Sequence, residues 1–209
     1  MKKRLLVLAM TVLSIGLYAQ SRYEQEMKSA LDALDKAEKL PEFKAVANKF
    51  ELISNVEKDK WLPQYYTSYV YTVMTYFDKD GDSRDKALDK AQQYLEKVKK
   101  LSGDKEEVAV LQAYIYQSRF FVAPSSRISL FTQTSTAIDQ LVKQYPENPR
   151  VNLLEGIQLF HKPSFMGGGA SKAKPFFEKA SLKYQRQQLK TPLDPGWGKE
   201  TNAYYLEKC

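Results

Sequence analysis

The chain has 209 residues, with 32 Lys and Arg against 25 Asp and Glu, one histidine and one cysteine. That length suffices for one domain with a real core, and a single cysteine, Cys209, excludes an internal disulfide framework. A formal charge of +7, part of it carried by a basic N-terminal leader, falls short of a nucleic-acid footprint. One histidine leaves no His-rich metal site.

Residues 1–19 read as an export signal. "MKKR" is basic, "LLVLAMTVLSIGLYA" is apolar, and Leu17 and Ala19 stand at the −3 and −1 positions before Gln20. The apolar run is shorter than the roughly 20 residues a membrane span needs, and no Cys follows to be lipidated. A mature chain of residues 20–209 is therefore expected as one domain, periplasmic or secreted, with no stable membrane span after cleavage.

Beyond the leader, apolar residues recur at intervals of three and four, the period of a helix. "YEQEMKSALDALDKAEKL" puts Tyr23, Met27, Ala30, Leu31 and Leu34 on one stripe, and "EFKAVANKFELISNV" does so with Phe43, Val46, Phe50 and Ile53. After Pro63, "QYYTSYVYTVMTYF" groups Tyr66, Tyr69, Val70, Val73 and Phe77. "RDKALDKAQQYLEKVKKL" follows with Ala87, Ala91, Leu95 and Val98. "SGDKEEVAVLQAYIYQSRFF" opens on Asp104 with Glu107 three residues on, a capping-box pattern. Pro124 ends it. "SLFTQTSTAIDQLVKQY" runs to Pro146. "NPRVNLLEGIQLF" has Pro149 in its first turn. "ASKAKPFFEKASLKYQRQQ" and "ETNAYYLEK" complete about nine helices, with no strand alternation.

The helices repeat in pairs. Val46/Phe50/Ile53, Ala91/Leu95/Val98, Thr134/Ile138/Leu141 and Ala173/Phe177/Ala180 share one four-then-three spacing, and their last members recur at 53, 98, 141 and 180. Small residues at such places let two helices of a hairpin approach closely, and Gly156 fits the matching place on a first helix. Each hairpin leaves an apolar face that its neighbour covers, so the units stack. The spacing resembles a degenerate, long tetratricopeptide repeat. "NPRVNLLEG", "FMGGGASKAKPFFEKA" and "DPGWGKE" together resemble an exported Bacteroidetes protein family, and "YAQ" with its polar successor resembles signal peptides of that group. The resemblance implies an all-α, right-handed α-α superhelix of helical hairpins, and it brings no catalytic residues.

Four features bear on chemistry. "DKDGDSRDKALD", residues 78–89, alternates Asp78, Asp80 and Asp82 as a calcium loop does. However, it has Ser83 where the turn glycine belongs and Asp89 where a bidentate Glu belongs; a capped turn between helices fits better. "KPSFMGGGASKA", residues 162–173, offers Gly167, Gly168 and Gly169 as an anion nest or as a loop turning back over the array. His161 reads as a helix-end residue with no nucleophile motif beside it. The tyrosines on one helix, Tyr66 and Tyr69 among them, serve either as core or as a groove wall, with Arg119, Arg127 and Arg150 suited to a carboxylate.

The reading that follows is a non-enzymatic scaffold holding a protein or peptide partner in the concave groove of the array. The alternative is a periplasmic accessory protein binding a small anionic solute near the glycine-rich loop. No cofactor, catalytic residue, metal or nucleic-acid partner is expected. The binding residues expected are Tyr66, Tyr69, Arg119, Arg127, Arg150, Gly167, Gly168 and Gly169.

Overall fold

A computed structural model describes residues 22–209. The expected export signal lies outside the described residues. Within them the chain is all-α, with nine α-helices and no strand. Helix α1 covers residues 22–35. Then follow α2 (Leu40–Val56), α3 (Trp61–Val73), α4 (Gly81–Lys100), α5 (Lys105–Val122), α6 (Ile128–Gln144), α7 (Pro149–His161), α8 (Ala170–Arg186) and α9 (Lys199–Glu207). From α2 onward each helix packs on the next, most extensively α7 on α8 and α3 on α4. In addition α5 touches α3 on one side and α7 on the other, so that the three form one layer.

The repeated trios are the seams of this stack. Ala91, Leu95, Val98, Ala173, Phe177 and Ala180 are fully buried, and Val46, Phe50, Thr134, Ile138 and Leu141 nearly so. Ile53 is half-buried. Gly156 on α7 shows why a small residue is needed opposite: a Cβ there would stand 2.6 Å from the Phe177 ring of α8.

Local chemistry sets the helix ends. Asp80 caps α4, its side chain accepting from the Ser83 amide at 2.6 Å. Asp82 in the first turn and Lys97, Lys99 and Lys100 in the last complement the helix dipole. Asp78 accepts from the Asp80 amide and from the Ser83 hydroxyl, at 3.0 and 2.6 Å. The loop therefore spends these carboxylates on a helix start. Likewise Trp61 starts α3 two residues ahead of Pro63, which sits in the first turn where its missing N–H costs nothing.

Helix α3 is buried without interruption from Pro63 to Thr72. A helix buried on all sides cannot be amphipathic, and its polar atoms need internal partners. Ser68 donates to the Ala91 carbonyl at 2.7 Å, and Thr67 and Thr72 donate back to Pro63 and Ser68. The Gln64 amide reaches the Ser54 carbonyl. The surplus of tyrosine on this helix is thus a central strut packed by α2, α4 and α5.

Candidate functional site

The layer of α3, α5 and α7 is covered by the chain's own segment between α8 and α9. Trp197 stacks on Tyr69 at 4.8 Å and on Tyr114 at 5.2 Å between ring centroids. Its indole N–H donates to the Tyr65 hydroxyl at 2.8 Å. Tyr66 donates to the Leu193 carbonyl at 2.9 Å, and Tyr184 to the Trp197 carbonyl at 3.1 Å. Burial pushes the Tyr65, Tyr66, Tyr69 and Tyr114 phenols well up, so all stay protonated.

Beneath Trp197 lies a buried ion pair. Arg150 is 1% exposed and holds Glu107 through both terminal nitrogens, at 2.7 and 2.5 Å. Asn148 accepts from its Nε at 3.2 Å, and its guanidinium lies over the Trp197 ring at 5.1 Å. Tyr65 also donates to Glu107, at 2.8 Å. Burial alone would push the Arg150 guanidinium down, but the Glu107 carboxylate outweighs it and raises its pKa. Asp104 does cap α5. Glu107, by contrast, does not reach back to complete the capping box, because Arg150 takes both its oxygens.

An open cavity of about 620 Å³ adjoins this pair, lined among others by Trp61, Tyr145, Arg150, Arg186, Lys190 and Asp194. Its size suits a small molecule, but its walls carry Glu107, Glu147 and Asp194 among the cations.

The other expected site residues lie elsewhere. Arg127 grips Asp85 of α4 bidentately at 2.7 and 2.5 Å and donates to the Arg119 carbonyl at 3.0 Å. Arg119 pairs with Asp89 at 2.9 Å. The glycine-rich loop stands at the far end of α7 from Arg150, about 18 Å away at 1.5 Å rise per residue. Its amides are already engaged: Gly167 donates to Ser164, Gly168 to Pro163 and Gly169 to Leu159. Gly167 and Gly169 adopt φ of 85° and 101°, and a Cβ on Gly168 would meet the Lys162 carbonyl at 2.2 Å. The glycines are thus required by a tight return loop rather than by an anion nest.

That loop instead projects two large apolar side chains. Phe165 is 87% exposed and Met166 is 55% exposed. They lie four and five residues beyond His161, the last residue of α7, around which an aromatic wall closes. Phe121 of α5, Phe160 of α7 and Tyr205 of α9 stand edge-on to the imidazole at 5.0, 5.3 and 5.7 Å. Phe120 and Phe131 extend the wall. His161 Nε2 and the Tyr205 hydroxyl share a hydrogen bond at 2.9 Å, and burial lowers the His161 pKa, favouring the neutral ring. Arg84 anchors this end by donating to the Phe121 carbonyl at 3.0 Å. Large apolar side chains left in solvent are the kind of surface a partner or ligand covers. The sequence marks His161 as a helix-end residue, which it is, but it does not single out Phe165 and Met166. Only the fold brings α5, α7 and α9 together around them.

The fold and this end wall together define an all-helical stack of hairpins with an aromatic end. No family model matches the sequence, and a comparison with curated proteins finds no relative. Among solved structures the chain is similar to the HusA haemophore from Porphyromonas gingivalis, a Bacteroidete. The two are 28% identical, and the match covers 90% of this chain and 92% of that one at a TM-score of 0.77. No helix among the described residues is long and apolar enough to cross a membrane.

Proposed function

We propose that this protein is an exported, non-enzymatic carrier that binds haem, or a closely related tetrapyrrole, at the aromatic end formed by α5, α7, α9 and the 162–169 loop. The observation that carries the reading is the likeness to a haemophore along nearly the whole of both chains. The end wall supports it physically. A porphyrin is a flat apolar disc whose two propionates want cations or water. Phe121, Phe160, Phe165 and Met166 supply apolar surface, while Lys162 follows His161 in the chain and Lys208 lies over the Tyr204 ring at 5.7 Å. Burying apolar area contributes about 25 cal/mol per Å², so a disc laid on this wall gains affinity without any rearrangement of the core. The basic surplus of residues 149–209, 10 basic against 5 acidic side chains, suits an anionic ligand in the same half.

A protein or peptide partner in the groove is the weaker reading, because Trp197 and Leu193 occupy the tyrosine face such a partner would need. Titration of residues 20–209 with haemin tests the proposal. A saturable Soret shift with quenching of tryptophan fluorescence is expected, and a Phe121→Ser variant should weaken it. A linear Soret increase equal to that of haemin in buffer would overturn the assignment.

A further inference from the structure

The cavity of about 620 Å³ at the starts of α5 and α7 lies about 18 Å along α7 from the end wall and takes no part in the haem reading. Its charges divide by element. Asp104, Glu106 and Glu107 come from the start of α5, and Glu147 from the turn before α7. Lys183 and Arg186 come from the last turn of α8, and Lys190 from the segment after it. Asp194 is the one acid of the lining on that cationic side.

Most of these groups are already spent inside the chain. Asp104 accepts from the amides of Glu106 and Glu107, Glu106 accepts from the Asn148 side chain at 2.8 Å, and Arg150 holds Glu107. Lys183 donates to the Pro146 carbonyl and, at 2.6 Å, to the Asn152 side-chain oxygen. Asp194 accepts from the Thr191 amide and hydroxyl, at 3.0 and 2.9 Å. Three charges remain. Glu147, Arg186 and Lys190 are exposed, and among the described residues none of their side chains has a hydrogen-bond or ion-pair partner. They border one space without pairing with each other. Trp61, Tyr145 and Leu189 add apolar surface to the same walls.

A simple anion would meet five carboxylates in this lining, and a simple cation four basic side chains. A molecule that carries both charges, set apart, meets each sign where it is wanted. We propose that the cavity is a second binding site, for a short peptide of about two or three residues with free termini. Glu147 receives its ammonium group, Arg186 and Lys190 receive its carboxylate through charge-assisted hydrogen bonds, and its apolar side chains lie against Trp61 and Tyr145. The assignment is independent of the haem reading.

Calorimetric titration of residues 20–209 with trileucine tests it. Saturable binding with a Kd of about 1 mM or tighter is expected. Acetylating the amine or amidating the carboxyl of the peptide should each weaken it about fivefold or more, and so should Glu147→Gln and Arg186→Ala. Both side chains are exposed, so the two variants should unfold at the wild-type midpoint. In Glu147→Gln, acetylation of the peptide should cost little more, because the partner of the amine is already gone. Absence of saturable heat up to about 10 mM would overturn the proposal. Equal affinity for trileucine and its doubly blocked form would overturn it too, as would variants that bind as the wild type does. Haemin should leave trileucine affinity unchanged, and competition between them would overturn the separation of the two sites. A haemin Soret shift without trileucine binding sinks this site alone, and trileucine binding without a Soret shift sinks only the carrier reading.

Discussion

The inner face around Trp197 and the end wall around His161 are both crowded with aromatic rings, yet they are opposite in character. On the inner face the rings are covered, the phenols of Tyr65 and Tyr66 donate to named acceptors, and the one buried cation, Arg150, has its carboxylate. At the end wall Phe165 and Met166 are open to solvent, and the imidazole hydrogen-bonds the Tyr205 hydroxyl. An aromatic cluster whose polar atoms are all satisfied inside the chain is structural. One that leaves large apolar area outside has surface to give to a ligand. On this criterion the inner face holds the fold together, and the end wall is the face to which we assign the proposed binding.

The largest test of that division is Arg150→Ala. The change strands Glu107 in a buried site and removes the support under Trp197. It should cost about 3–5 kcal/mol, a fall in Tm of roughly 10 °C or more for a domain of this size, measured by urea and thermal unfolding. Replacing both partners, as Arg150→Met with Glu107→Leu, should recover much of the loss, because it is the unpaired charge that is costly. A single-variant loss under about 1 kcal/mol would mean that the pair does not close the inner face.

Trp197→Ala comes next. It removes the ring that Tyr69, Tyr114 and Arg150 all touch and leaves the Tyr65 hydroxyl one donor short. About 3 kcal/mol is expected, at the low end for a large aromatic because Trp197 is only half-buried. If stability is instead kept and the variant gains affinity for extended peptides, the inner face is a groove after all, and the contrast drawn above fails.

How far the sequence foretold these two regions follows from which interactions are local. Period-three-and-four spacing is local, so the nine helices were legible, and so were the trios: Phe177 and Gly156 meet just where small-against-large spacing requires. The turn at Asp78–Ser83 was legible too, since capping is settled within a few residues. The site was not. Arg150 meets Glu107 across 43 positions and Trp197 meets Tyr65 across 132, and no periodicity encodes such pairings. The glycine run marked the right loop, but its amides are consumed by the loop's own hydrogen bonds. What the loop presents to solvent is the side chains of Phe165 and Met166, whose exposure no local pattern encodes.

A smaller effect separates a surface clamp from either region. Arg127 hydrogen-bonds Asp85 and holds its carboxyl below the usual aspartate range. A folded-state pKa lowered below the unfolded value, near 3.9, stabilises at pH above that value and is lost as pH falls through the folded one. Arg127→Ala should therefore cost about 1 kcal/mol at neutral pH for this partly exposed pair, and the gap to wild type should close as pH drops below about 4. Stability curves that stay parallel into strong acid would show that the pair contributes through packing and not through charge.

The smallest stability effect belongs to the end wall, where it is most informative. Phe165→Ser removes a ring that is almost wholly in water, so unfolding free energy should move by no more than about 0.5 kcal/mol. On the proposed haem reading, the large apolar side chain held out by this glycine-built loop contacts the ligand. The same variant should accordingly weaken haemin binding several-fold, the paired readout being a Soret titration beside a urea melt. Should Phe165→Ser lower stability by more than about 1 kcal/mol and leave haemin binding intact, Phe165 packs against the body in solution, and the end wall becomes a second covered face like the one around Trp197.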